Sequence, residues 1–265
     1  MNEKKFSYIK RHLLLCFFLL LTLYPFVWMF FSAFRTEADL RMRPLAMPNP
    51  WTAANLLEAI RSGSFLSAYG NSFLLCTITV SLTCVIAALA AFAFARFKFP
   101  AVQALFMFFL LGLMIPVHIT LIPLNQLMGA NFFNLKSSLF VLSGPYAGFA
   151  LPVSILILRR AFEAIPKDLI DSGILDGCSN WQVFWHIALP LSKPALATVV
   201  IFNFLTMWNE YAFALTLLRP GLQTVPLAIA EFKGEFDLRI STVCAALLLV
   251  MIPLFTVYIF AQKHI

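Results

Sequence analysis

The sequence predicts an all-α polytopic membrane protein with six transmembrane helices and one helix-turn-helix loop on its cytoplasmic side. Three observations predict it. Of 265 residues, 61% are hydrophobic and only 12% charged, about half the charged share of a soluble domain. Six apolar stretches come close to the roughly 20 residues that cross a bilayer as a helix. One connection between them, 159–193, is long and mixes charges with aromatics. A soluble fold of this length buries about three quarters of its surface, which would leave much of the apolar excess, including 29 Phe, facing water.

The spans run about 13–34, 71–95, 101–122, 138–158, 195–217 and 241–261, in one domain over 1–265. The first follows Lys4, Lys5, Lys10 and Arg11. Its apolar run is too long for a signal-peptide core and no small-x-small site follows, so it reads as an uncleaved anchor. In the second, Ala87, Ala91 and Ala95 make a small-xxx-small ridge where another helix can approach closely. Pro25, Pro116, Pro145, Pro152 and Pro253 lie within spans; each removes a backbone donor and can kink its helix, which a bundle tolerates. No Asp, Glu, Lys or Arg occupies the middle of a span, against expectation for a proton-coupled carrier.

Charge sets the expected orientation. With the N-terminus inside, eleven of the 19 basic residues are cytoplasmic, two of them in the short turn 96–100. Short flanks weigh most in this rule, so both termini are placed in the cytoplasm. The net charge of +7 is scattered between apolar stretches, which excludes a nucleic-acid surface. Cys16, Cys76, Cys84, Cys178 and Cys244 are odd in number and lack a CxxC, so neither a disulfide framework nor a zinc site is expected.

The loop 159–193 reads as two short helices. Pro166 can open the first at its first turn, and Asp176-Gly177 ends it, because Gly takes positive φ at a C-terminal cap. Ser179 caps the second, and Gln182 three residues on completes a capping box. Trp181, Phe184, Trp185, Ala188 and Leu189 then fall at i, i+3, i+4, i+7 and i+8, one apolar stripe, before Leu189-Pro190 closes the segment. The stripe needs a cover: either lipid, with the helix lying in the interface, or a cytoplasmic partner.

Asp171-Ser172-Gly173-Ile174-Leu175-Asp176-Gly177, nine further residues, and Ile187-Ala188-Leu189-Pro190 resemble the EAA loop of binding-protein-dependent ABC importer permeases. That pattern is roughly E-A-A-x-x-x-G, nine residues, then I-x-L-P. Asp171 here replaces Glu, and Ser172 and Gly173 replace the two Ala. Phe92-Ala93-Phe94-Ala95-Arg96-Phe97-Lys98-Phe99-Pro100, Met114-Ile115-Pro116, Leu121-Ile122-Pro123 and Trp208-Asn209-Glu210-Tyr211 look like marks of the carbohydrate-uptake branch, the one with the smaller maltose permease subunit. Family members usually continue past the point of Ile265 into a short Gly-containing cytoplasmic tail.

The resemblance implies a bacterial inner-membrane, multi-pass permease. Its partners would be a homologous second permease, two ATPase subunits, an extracytoplasmic solute-binding protein and membrane lipid. It implies no cofactor on this chain, with ATP and Mg on the partner ATPase. It also implies that Asp171, Gly173, Asp176, Gly177, Trp181, Phe184, Trp185, Leu189 and Pro190 couple the spans to that ATPase. In the maltose branch the sugar site lies mostly in the larger permease.

No GxxxxGK[ST], HExxH or GxSxG occurs, so no ATP site of the Walker type, metal site or catalytic residue is expected here. His12, His118, His186 and His264 are far apart in sequence. His118, beside Pro116, reads as a hydrogen-bonded bundle residue or a pathway residue. Asn209 and Glu210 fall about 24 Å along a helix from Pro194, near the outer interface, where Trp208 and Tyr211 fit an aromatic belt. Glu210 is either a locally paired carboxylate or a contact for solute or delivery protein. The outer loop 218–240, with Glu231, Gly234 and Glu235, is longer than a turn requires. It is either a connector with a short helix around 225–232 or a docking surface for the binding protein. An ATPase-independent carrier or channel for a small polar solute is the competing reading.

Overall fold

A computed structural model of the protein describes residues 2–62, 64–98, 100–129, 135–231 and 239–263. Every regular element among them is helical. The chain divides into two compact units, Met1–Leu66 with Ile229–Ile252 and Ser67–Ala228 with Pro253–Ile265.

The first unit begins with α1 (Asn2–Ala33), whose most apolar stretch buries nothing within the chain. After α1 the backbone is tied by polar contacts. Arg35, only 1% exposed, donates from Nε to Asp39 at 2.6 Å and from Nη2 to the carbonyls of Asp39 and Arg43 at 2.9 and 2.6 Å. This ties the short α2 (Glu37–Met42) to the end of the span. Arg35 and Arg43 together hold the Asp39 carboxyl below its usual range. From α3 (Ala54–Arg61), Asn55 donates to the carbonyls of Ala33 and Arg35, at 2.8 and 2.7 Å.

Two carboxylates meet the start of α13 (Ile240–Gln262). Glu37 accepts from the Ser241 amide and hydroxyl at 3.0 and 2.9 Å, and Glu58 from Arg239 at 2.6 Å and Thr242 at 3.3 Å. Acceptors at a helix N-terminus satisfy its free N–H groups and complement its dipole. Burial acts to raise the Glu37 carboxyl, but the Ser241 and Arg41 donors outweigh it and leave it lowered.

The second unit holds nearly all of α4 (Phe65–Arg96), and α5 (Val102–Leu111), α6 (Val117–Leu127), α7 (Ser143–Glu163), α8 (Lys167–Leu175), α9 (Asn180–Leu191), α10 (Lys193–Trp208) and α11 (Ala212–Leu217). The next helix, α12 (Val225–Glu231), runs across the boundary between the units. The expected alanine ridge is present: Ala87 and Ala91 are fully buried, packed in one core with Phe92, Phe106, Ile155, Leu158 and Phe162. Side chains that end at Cβ let helices approach closely. Two hydroxyl contacts pin the bundle, Thr79 to Ser143 at 3.1 Å and Asn203 to Ser154 at 2.9 Å.

Among the described residues, four helices are long and apolar enough to cross a membrane singly: Lys10–Ala33, Phe65–Arg96, Leu139–Glu163 and Ile240–Gln262. Two expected spans are not single helices. The stretch 101–122 breaks into α5 and α6, bent by 97°. A 3₁₀ turn at Gly112–Met114 leads to an extended Ile115 (ψ 115°), since Pro116 disfavours helix in the residue before it and supplies no N–H. The stretch 195–217 ends at Trp208 and restarts at Ala212. His118, expected inside the bundle, is exposed on α6.

Candidate functional site

At one end of the second unit, three helix termini converge. Arg96, the last residue of α4, donates to the carbonyls of Phe162 at 3.0 Å and Ile165 at 3.4 Å, just where α7 ends. A cation on the last carbonyls of a helix satisfies them and suits the dipole. Asp171 on α8 acts electrostatically on the same Arg96. From sequence Arg96 reads only as a basic flank of the turn 96–100, because this contact spans 66 positions.

Pro166 precedes α8 with extended backbone (ψ 134°) and does not form its first turn. The helix ends in a Schellman motif: Cys178 N–H bonds Gly173 O at 2.9 Å and Gly177 N–H bonds Ile174 O at 3.0 Å. That geometry needs a left-handed residue, and Gly177 has φ +88°. The capping box is formed, with Gln182 N–H to Ser179 Oγ at 3.3 Å and Ser179 N–H to Gln182 Oε1 at 2.8 Å. Gly173 is where α8 crosses α9: a Cβ there would stand 2.6 Å from Ile187 Cδ1. The departure from Ala at this position thus goes with close helix packing.

The apolar stripe does not face one way. Residues 184–188 wind as a π-helix, whose i→i+5 turns advance more slowly than a 3.6-residue helix. Phe184 (3% exposed) and Ala188 turn inward and join Ile170 and Val183 in the bundle core, with Phe184 set against Phe92 at 5.2 Å. Trp181 (58%) and Trp185 (46%) stay outside, as do Leu169, Ile174 and Leu175 of α8, the last 86% exposed. Asp171, Asp176, Gly177 and Pro190 are also exposed, and Leu189 is half-buried. The elbow is therefore bedded in its own bundle on one side and bare on the other.

A second group lies at the α10–α11 break. Glu210 accepts from Tyr146 Oη at 2.8 Å and from the amides of Phe213 and Ala214 at 2.8 and 3.2 Å. It is a paired carboxylate that caps α11 and ties it to α7. Asn209 instead folds back on Leu205 O at 2.8 Å. Trp208, expected in an interfacial belt, is buried and stacked on Phe204 at 5.5 Å. Tyr211 is exposed as expected. Glu231 ends α12 and accepts from Ser64 at 3.4 Å. Gly234, Glu235 and His264 lie outside the described residues. No group of three His, Cys, Asp or Glu able to hold a metal occurs among the described residues.

Apolar helices of membrane length, with a capped helical elbow among them, define a membrane-embedded protein. Residues 84–265 match the family described as "Binding-protein-dependent transport system inner membrane component". The chain belongs to that family, and it is a permease subunit of an ABC importer, embedded in the inner membrane with several passes. It is 38% identical to a protein of Caldicellulosiruptor sp. (strain Rt8B.4) named as an ABC transporter permease, ORF2, over 91% of this chain and 87% of that one. It is 31% identical to the sulfoquinovosyl glycerol transport system permease protein SmoH of Agrobacterium fabrum (strain C58 / ATCC 33970), over 92% and 85%. Its fold is similar to that in a crystal structure of a bacterial ABC transporter involved in import of the acidic polysaccharide alginate. That match has a TM-score of 0.81 at 22% identity, covering 99% of this chain and 98% of that one.

Proposed function

We propose that this chain is one of two homologous permeases that pass a sugar across the inner membrane, and that the α8–α9 elbow docks on a separate ATPase. In this reading each bent stretch counts as one crossing, giving six spans with both termini in the cytoplasm. Arg96, Arg159, Arg160, Lys167 and Lys193 all fall at the elbow's end of the second unit, which supports that orientation. ATP and Mg bind the partner, and an extracytoplasmic solute-binding protein meets the loop 218–240. Names of relatives support the sugar: a trehalose permease of Mycobacterium tuberculosis is 31% identical and a diacetylchitobiose permease of Streptomyces coelicolor 30%.

One observation carries the reading, the two-sided elbow. Its inner side shares a core with α4, α5 and α7, so a push on its outer side moves helix ends rather than a loose loop. Packed interfaces shift between discrete arrangements, and the elbow can thus pass ATPase closure to the spans. Gly177→Pro tests this. Proline cannot take φ +88° and removes the N–H that bonds Ile174 O. The variant should insert and assemble, yet lose substrate-stimulated ATP hydrolysis and uptake in reconstituted membranes. Normal uptake at normal expression would refute the coupling role.

A further inference from the structure

Irregular backbone of the second unit meets around one void. The α5–α6 bend at Gly112–Val117, the middle of α7 and the α10–α11 break border a half-open cavity of about 290 Å³. That volume is near the lower end for small-ligand sites, which are typically apolar with a few convergent polar groups. Phe149, Phe202 and Phe213 line it with flat apolar faces, and Glu210 is its single charged lining residue.

Glu210 exceeds what capping requires. Asn, Asp or Ser caps a helix equally well, and a carboxylate has about four acceptor positions. Tyr146, Phe213 and Ala214 use three of them, which leaves acceptor capacity on Oε1. Two more acceptors lie in the wall. Thr206 donates its proton to Phe202 O, so its oxygen can still accept, and the buried Asn203 Oδ1 receives no donor. The cavity thus lacks donors, not acceptors. A hydroxyl is a better match than a bare cation, because the wall offers one carboxylate that already accepts three hydrogen bonds and only neutral oxygens besides. An apolar occupant would leave the buried Asn203 Oδ1 without a partner, which is costly.

We infer that this cavity is a saccharide-ring subsite on this chain. Glu210 accepts from ring hydroxyls, and Phe149 and Phe213 cover the C–H face of the ring. The inference rests on the proposed sugar import and adds direct solute contact by this subunit.

The test uses the complete importer in proteoliposomes, with its second permease, ATPases and binding protein. The probe is a mixture of radiolabelled neutral disaccharides, and the readout is label trapped per ATP hydrolysed. Phe149→Trp fills the void and Glu210→Gln removes the charged acceptor. Each should lower the ratio about tenfold, the scale of a hydrogen bond to a charged group. A purely structural role would lower uptake and hydrolysis together and leave the ratio unchanged, which overturns the subsite. So does a normal ratio in both variants when wild type traps label. If wild type traps none, the sugar reading falls and the subsite falls with it.

Discussion

Truncating Phe184 and truncating Trp185 should damage the protein in opposite ways, although the two are adjacent on α9. Phe184 is buried against Phe92 at 5.2 Å and lies 6.3 Å from Phe162. Loss of a buried aromatic costs about 3–5 kcal/mol, since the void only partly collapses. At about 2–4 °C per kcal/mol for a chain of this size, Phe184→Ala should melt roughly 10 °C lower. Trp185 is close to half-exposed, and its ring contacts are with Phe184 and Trp181 on its own helix. An exposed Trp at a partner interface can contribute about 2 kcal/mol or more, roughly thirtyfold in Kd. Trp185→Ala should therefore melt like wild type and bind the ATPase far more weakly. The assay pairs thermal unfolding of the purified permease with ATPase binding to nanodisc-held protein. If Trp185→Ala melts as low as Phe184→Ala, or binds the ATPase normally, the two-sided elbow is wrong.

Two further predictions follow from charged groups. Asp171 is exposed on the elbow, where in the coupling reading it pairs with a basic residue of the ATPase, so Asp171→Ala should weaken ATPase association in pull-downs, by under about 1 kcal/mol if that pair sits at the rim and by several if it is desolvated. Charge reversal on both sides should partly restore it, and unchanged association would exclude the pair. Asp39 has a lowered carboxyl. Its contribution to local stability is in place above about pH 4 and lost as pH falls through the depressed value. Hydrogen exchange over residues 36–46, corrected for intrinsic chemistry, should speed up below that pH in wild type, and Asp39→Asn should remove that dependence.

Four of the six expected spans were legible as single helices, because bilayer thickness imposes a run length that composition reveals directly. The elbow was legible too: Ser179 with Gln182, and Asp176-Gly177, are local signals whose geometry needs no distant partner. What sequence reading missed was set by distant contacts. Hydropathy runs unbroken through Ile115-Pro116, so that break was hidden, although Pro116 carried a local hint; the polar pair Asn209-Glu210 was read within the span 195–217 and not as a break. Reading Trp181 to Leu189 at a 3.6-residue period placed Phe184 on the partner side, while the π-helical turn at 184–188 puts it in the core. Tyr146 holds Glu210 across 64 positions, and a lone Tyr in an apolar span gives no warning of that. Trp208 looked interfacial from its neighbours and proved buried, because the helix it ends is shorter than the apolar run.

The central claim is that this chain moves solute only when a separate ATPase drives it. Tagged chain should be drawn from native membranes with stoichiometric ATPase subunits and a second permease, and reconstituted uptake should require both ATP and those subunits. Gradient-driven uptake by proteoliposomes that contain this chain alone would contradict the claim.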